Sequence, residues 1–270
     1  GIRIKTDRDR GGYVHNIKYF NLSMTNVMRP ILIYCQYTNT ISAYRAVDSI
    51  SPGVAAGFPS NAVISTTPRF RDILISKLTA TVQSGRTAGL IGGVPESCIS
   101  NLTLMNVKIT ADKTFGIYDA KNVQIIDSQI TTPSTVRNFS FFNSDITFSN
   151  SAVSSGSLSL DGTLTNTIGN TLAFYNTKAW LKNTNALDES PGITLGSSTL
   201  TASNHLLLDT NSLVTFVLGT NASTLAVVSN LTEIGTIKAT AGAGFSTGTY
   251  TVFAYGKTLT GWDPTLAGTP

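Results

Sequence analysis

Arg3 and Lys5 stand two residues apart in the opening segment GIRIKTDRDRGGYVHNIKYFNLSMTNVMRPILIYCQY. On an extended strand, residues two apart point the same way. Ile2 and Ile4 would then face a core while two cations face outward together. Such a fork of donors suits a carboxylate. Arg8, Arg10, Lys18 and Arg29 add to the basic character of the first thirty residues. After Lys182 the only basic residues are Lys238 and Lys257. This asymmetry, within a net charge of +4, suggests an anionic partner. Acidic polysaccharide, nucleic acid and a membrane surface all qualify, and a solvated charged face is the plainer alternative.

Few other residues are spaced for catalysis. Asp7 and Asp9 lie near the cations, in a polar turn closed by Gly11 and Gly12. Their expected roles are turn hydrogen bonds and pairing with Arg8 and Arg10. Asp119, Asp127 and Asp145 fall inside a repeat that gives them ladder or turn roles, and Asp188-Glu189 lies beside Pro191 in a loop. There is no GxSxG, HExxH or P-loop, and no carboxylate cluster that would hold a metal. No cofactor is implied. Cys35 and Cys98 could pair only if the fold brings them within reach; two free buried thiols fit the sequence as well.

The elements that must carry these residues follow from a repeat. NIKYFNLSMT (from Asn16), DILISKLTAT (Asp72), NLTLMNVKIT (Asn101), NVQIIDSQIT (Asn122) and DITFSNSAVS (Asp145) align over ten residues, and TLAFYNTKAW (Thr171) aligns more loosely. Successive starts lie 56, 29, 21, 23 and 26 residues apart, so the first gap reads as about two repeats and the others as one each. Period-two alternation predicts strands. The polar sixth place (Asn21, Lys77, Asn106, Asp127, Asn150, Asn176) predicts a turn. Stacked copies would line these side chains into a hydrogen-bonded ladder.

A second short strand precedes several units: AGLIGG, FGIYDA and NFSFFN. Its aromatics, Phe115, Tyr118, Phe139, Phe141 and Phe142, read as stacked core. Several short strands per repeat with no helical period predict an all-β fold, a parallel β-helix of the pectin-lyase-like solenoid type. Parallel crossovers make the right-handed form the expected one. Charged residues make up only 13% of the chain, below the usual quarter or so, which fits a β-rich extracellular scaffold. No apolar run is long enough for a membrane helix.

Arg3-Ile4-Lys5, the following Gly11-Gly12 and the N-I strand at Asn16 resemble glycoside hydrolase family 28, the polygalacturonases. Later blocks look similar in order and flavour up to about residue 147: TPRFRDILISKLTAT, AGLIGGVPESCISNLTLMNVKIT and FGIYDAKNVQIIDSQITTP. The resemblance implies that Arg3 and Lys5 hold a galacturonate carboxylate beside the scissile bond. It implies a tyrosine of the next coil in the same subsite, for which Tyr37 is the positional candidate; a strand-end packing role for Tyr37 stands equally open. The family's histidine precedes the Arg-x-Lys motif, so His15 is expected to be structural. The family's Asn-Thr-Asp, Asp-Asp and Gly-His-Gly blocks, which carry inverting hydrolysis, do not occur in this sequence. They would fall upstream of Gly1.

Two functions are therefore expected: a polygalacturonase-like polysaccharide hydrolase, represented by its substrate-binding C-terminal part, or a β-solenoid carbohydrate-binding or scaffold module without chemistry. A hydrolase using carboxylates newly recruited by stacking is a third. The resemblance implies a pectin-like acidic polysaccharide as partner, with neither nucleic acid nor membrane, and a secreted location. Coils are expected over residues 1–182, followed by a β-rich tail or cap over 183–270. Uncapped coil ends predict homo-oligomers, unless the tail folds back.

Overall fold

The computed structural model of the 270-residue chain describes every residue except 9, 37–53, 56, 152, 156–170, 182–186, 189–191, 203–205, 209–211, 234, 261–264 and 268–270. The fold is all-β, a parallel β-helix, as the alternation predicts. Backbone contacts divide it into two compact units, Gly1–Ile146 and Thr147–Pro270.

In the first unit, Ile2–Lys5 pairs in parallel with Ile31–Tyr34, which pairs with Thr87–Gly92, which pairs with the start of Lys113–Ile126. A second ladder runs from Ile17–Val27 through Arg69–Val82 to Ile99–Thr110 and on to the later half of Lys113–Ile126. Each coil places alternate apolar residues inside. Ile73, Ile75, Leu78, Leu102, Leu104 and Val107 are at most 1% exposed. Phe115, Phe139 and Phe141 form the aromatic core expected of them, with ring centroids 6.0 and 6.1 Å apart along the stack.

One expectation is corrected here. Ile17 lies directly beside Ile73 and Leu22 beside Leu78, so the 56-residue gap is a single coil step. The described chain keeps the ladder as far as Cys35, whose N–H donates to Gly92 O at 2.9 Å, and pairs again from Arg69, with no further coil between the two paired strands.

The polar repeat positions are the corners. Asn16, Asp72, Asn101 and Asn122 at the first place have φ between 52 and 57°; Asn21, Lys77, Asn106, Asp127, Asn150 and Asn176 at the sixth have φ between 47 and 55°. Asparagine and aspartate tolerate this left-handed conformation better than most residues. Their side chains also stack: Asn101 Nδ2 donates to Asp72 Oδ1 and Asn122 Nδ2 to Asn101 Oδ1, each at 2.9 Å. Asp145 departs from the pattern. In its coil the left-handed residue is Asn143.

Among the described residues, the second unit has three parallel ladders. One runs Thr171–Tyr175, Gly192–Gly196, Leu213–Leu218, Thr236–Ala241 and Thr265–Ala267. Another runs Val153–Ser155, Lys178–Leu181, Thr199–Ala202, Thr224–Val227 and Phe253–Tyr255. The third joins Leu187–Asp188, Leu206–Leu208, Leu231–Glu233 and Leu259–Thr260.

Candidate carboxylate-binding site

The strand Ile2–Lys5 has the alternation its sequence requires. Ile2 is buried and Ile4 half-buried, while Arg3 and Lys5 are exposed on the opposite face. Backbone bonds fix the strand at both ends: Ile2 N–H donates to Pro30 O at 2.7 Å, and Thr6 N–H to Tyr34 O at 3.0 Å. In register, Arg3 lies beside Leu32 and Lys5 beside Tyr34. The next coils place Leu90 and Gly92, then Gly116 and Tyr118, at the same two positions.

Leu32, Tyr34, Leu90 and Tyr118 are all buried. The outward face of this ladder is therefore apolar and covered over three coils, and basic and open at the Arg3–Lys5 strand. Gly92 permits the packing, because a Cβ there would come within 2.8 Å of the Tyr34 ring. Burial raises the Tyr34 hydroxyl well above its usual range and pushes that of Tyr118 up to about 12, so both rings stay neutral. Tyr37 lies outside the described residues.

The turn after Lys5 is tied down. Thr6 Oγ1 donates to Gly11 O at 2.6 Å, and Asp7 Oδ1 accepts the Arg8 backbone N–H at 2.8 Å, the turn role expected of it. Gly11 and Gly12 supply the positive φ values, 69 and 122°. Asp9 lies outside the described residues.

The Arg8 guanidinium pairs across the coils with Glu96. Its Nε sits 2.9 Å from Glu96 Oε1, and its Nη2 donates to Glu96 Oε2 at 3.0 Å and to Pro59 O at 2.8 Å. The Glu96 side chain is only 3% exposed. Arg29 is also buried. Two of the six early cations thus belong to the framework, leaving Arg3, Lys5, Arg10 and Lys18 as the exposed ones.

Asp119 takes the turn and ladder role expected of it, although nothing in the sequence signalled its burial. Asp119 is fully buried at φ 49°. Its Oδ1 accepts Asn143 Nδ2 at 2.7 Å, and its Oδ2 has no hydrogen-bond partner. Burial pushes its carboxyl up to about 6, against the pull of Asn143, Lys121 and Arg8. Burial and the Asp119 charge push the neighbouring Cys98 thiol up to about 11, and Cys35 is raised further by the same causes. Both cysteines are unpaired. Protonated at neutral pH, neither is an activated nucleophile.

Asp119 has the pKa of a general acid, but with no exposed surface it cannot reach a polymer. Glu96 is held by Arg8. Among the described residues, no three His, Cys, Asp or Glu are grouped to hold a metal.

One surface group gave no signal in the sequence. The Tyr13 ring, 55% exposed, packs on the His15 ring at 4.4 Å and lies under the Arg71 guanidinium at 5.3 Å. Arg71 Nε donates to Tyr13 Oη at 2.9 Å, and Arg71 also pairs with Asp72. His15 Nδ1 bonds Asn16 Nδ2 at 2.9 Å, consistent with a structural histidine. Tyr13 and Arg71 lie 58 residues apart, so only the coil stacking brings them together.

Comparison with known families gives one match: the profile of Glycosyl hydrolases family 28 covers residues 1–51. The matched segment includes Arg3, Lys5 and Tyr37. It stops short of the later blocks, so the likeness read as far as residue 147 is supported over its first third. No curated protein and no solved structure was found to match the chain.

Proposed function

We propose that the first coil binds the carboxylates of a pectin-like acidic polysaccharide, with Arg3 and Lys5 as the paired cations and Tyr37 as a neighbouring contact. The observation that carries this reading is the exposure of Arg3 and Lys5 on one face of a strand inside the family-matched segment. A charge-assisted hydrogen bond to a carboxylate contributes about 1.5–3 kcal/mol, or roughly ten- to hundredfold in affinity. A secreted location accords with such a polymer.

Catalysis is the second level of the proposal. Inverting hydrolysis needs an acid and a base separated by about 6.5–9.5 Å across the scissile bond. Among the described carboxylates, Asp7 is a turn residue, Glu96 is ion-paired and Asp119 is sealed. This favours a binding role for the described residues over a complete hydrolytic site.

Reducing-end release from polygalacturonate, measured beside an Arg3→Ala/Lys5→Ala variant, separates the two levels. Release that falls in the variant establishes a working hydrolase with the cations in its substrate site. Retained polymer binding without release, lost in the variant, establishes the binding module. Binding and release that are both unchanged in the variant overturn the proposal.

A further inference from the structure

The second unit carries a cleft of about 320 Å³, within the range of small-ligand sites, which begins near 300 Å³. It opens where the chain leaves Leu213–Leu218 and where the long loop before Phe253–Tyr255 stacks on that corner. Six of its nine lining residues bear hydroxyls (Thr220, Ser223, Thr224, Thr249, Tyr250 and Thr251), and none is charged.

The walls are preformed. Gly242 N–H donates to Leu218 O at 2.7 Å, and Thr220 N–H to Ala243 O at 3.1 Å, so one loop is laid directly on the other. Gly219 is required at this crossing, since a Cβ there would stand 2.5 Å from Ala243 O. Tyr250 is fixed by its hydroxyl, which donates to Ser246 O at 2.8 Å. The Phe245 ring stacks on the Tyr250 ring at 5.8 Å and 16° and is 39% exposed.

The hydrogen-bonding capacity of the cleft is specific. Ser223 is buried in the wall, where its hydroxyl donates to Val217 O and accepts Ser197 N–H. The Thr220, Thr224 and Tyr250 hydroxyls spend their protons on the carbonyls of Ala243, Thr251 and Ser246, and Tyr250 Oη also accepts Ser246 N–H at 3.3 Å. A hydroxyl that donates once still has lone pairs to accept with. The Thr249 and Thr251 hydroxyls have no partner among the described residues and can do either. The lining therefore offers the remaining lone pairs of Thr220, Thr224 and Tyr250, two hydroxyls that can donate, an aromatic ring and no charge. A charged ligand would lose hydration there without a counter-ion. A neutral polyol would have its hydroxyl donors matched, with its C–H faces against the ring.

We propose that this cleft is a binding site for a neutral sugar unit of a glycan chain, separate from the carboxylate site of the first unit. It does not depend on Arg3 and Lys5.

Cellotetraose, β-1,4-mannotetraose and β-1,4-galactotetraose are each titrated at millimolar concentration, with binding read by saturation-transfer NMR and calorimetry. At least one should bind the wild-type chain. Thr249→Arg, a substitution at an exposed position that fills the cleft, should weaken it at least tenfold. Phe245→Ala should weaken it less, and Arg3→Ala/Lys5→Ala should leave it unchanged. The Thr249→Arg protein is checked for wild-type thermal unfolding. If its fold is lost, Thr251→Val and Tyr250→Phe are read instead, and each should weaken binding. Saturation transfer to none of the three sugars, or binding that survives the cleft variants, overturns the site. Loss in the Arg3/Lys5 variant alone would move the binding to the first unit and overturn it as well.

Discussion

Asp119 makes the fold sensitive to pH at the level of one residue. Its carboxyl is raised to about 6 in the folded chain, against about 3.9 when unfolded. The folded state thus holds the proton more tightly. This contribution is fully present below about pH 4 and is lost as the pH rises through about 6. Asp119→Asn keeps an acceptor for Asn143 and removes the buried charge. Denaturant unfolding of this variant at pH 7.5 should show a gain of about 1–3 kcal/mol over wild type, the size of a one- to two-unit shift. The gain should vanish near pH 4. A variant less stable at both values would mean that the charge is needed by Arg8 and Lys121. Glu96 is the other residue to test at this scale. Removing it strands Arg8, so Glu96→Ala should cost about 3 kcal/mol or more in stability, whereas substitutions at exposed Lys5 should cost almost nothing.

At the scale of elements, the corners explain both what was legible and what was not. Asparagine and aspartate recurring every twenty-odd residues announced the coil turns, because those side chains tolerate positive φ and hydrogen-bond up the stack. Lys77 occupies the same corner at φ 55° without that advantage. Lys77→Asn should raise the thermal midpoint by a few degrees, and Asn106→Val should lower stability by about 1–2 kcal/mol, the left-handed penalty.

The serines and threonines that follow several corners gave no signal, since in sequence they read as surface residues. In the structure Ser128, Ser144, Ser151, Thr177 and Ser198 are buried. Ser128 Oγ accepts Val107 N–H at 3.0 Å and donates to Ile126 O at 2.7 Å. Ser198 Oγ does the same for Thr177 N–H at 2.9 Å and Gly196 O at 2.9 Å. These hydroxyls replace the ladder bonds that a corner interrupts. Ser128→Ala should leave Val107 N–H buried and unsatisfied, at about 1–3 kcal/mol, as measured by unfolding. Likewise, the Arg8–Glu96 pair spans 88 residues and could be read only once the coils were stacked. The step from Asn16 to Asp72 was misread because a long excursion looks, by count alone, like another coil.

At the scale of the whole molecule, the first coil is less sealed than the one stacked on it. Ile4, Ile17, Tyr19, Leu22 and Met24 point inward yet remain half-exposed, while the residues stacked on them, Ile33, Ile73, Ile75, Leu78 and Ala80, are at most 2% exposed. Among the described residues no strand pairs with the other edge of Ile17–Val27. Open strand edges beside apolar side chains favour association. Sedimentation velocity should therefore show concentration-dependent oligomers that Leu22→Gln/Met24→Gln reduces; a monomer at every concentration would mean that this face is tolerated in water.

The central functional claim is that Arg3 and Lys5 recognise carboxylates. The most direct measurement is the affinity of the chain for polygalacturonate and for the fully methyl-esterified polymer, each with wild type and Arg3→Ala/Lys5→Ala. Wild type should bind the acidic polymer and lose at least tenfold in affinity either on esterification of the polymer or in the variant, with little further loss when the two changes are combined. Equal binding of both polymers, or undiminished binding by the variant, would contradict the account.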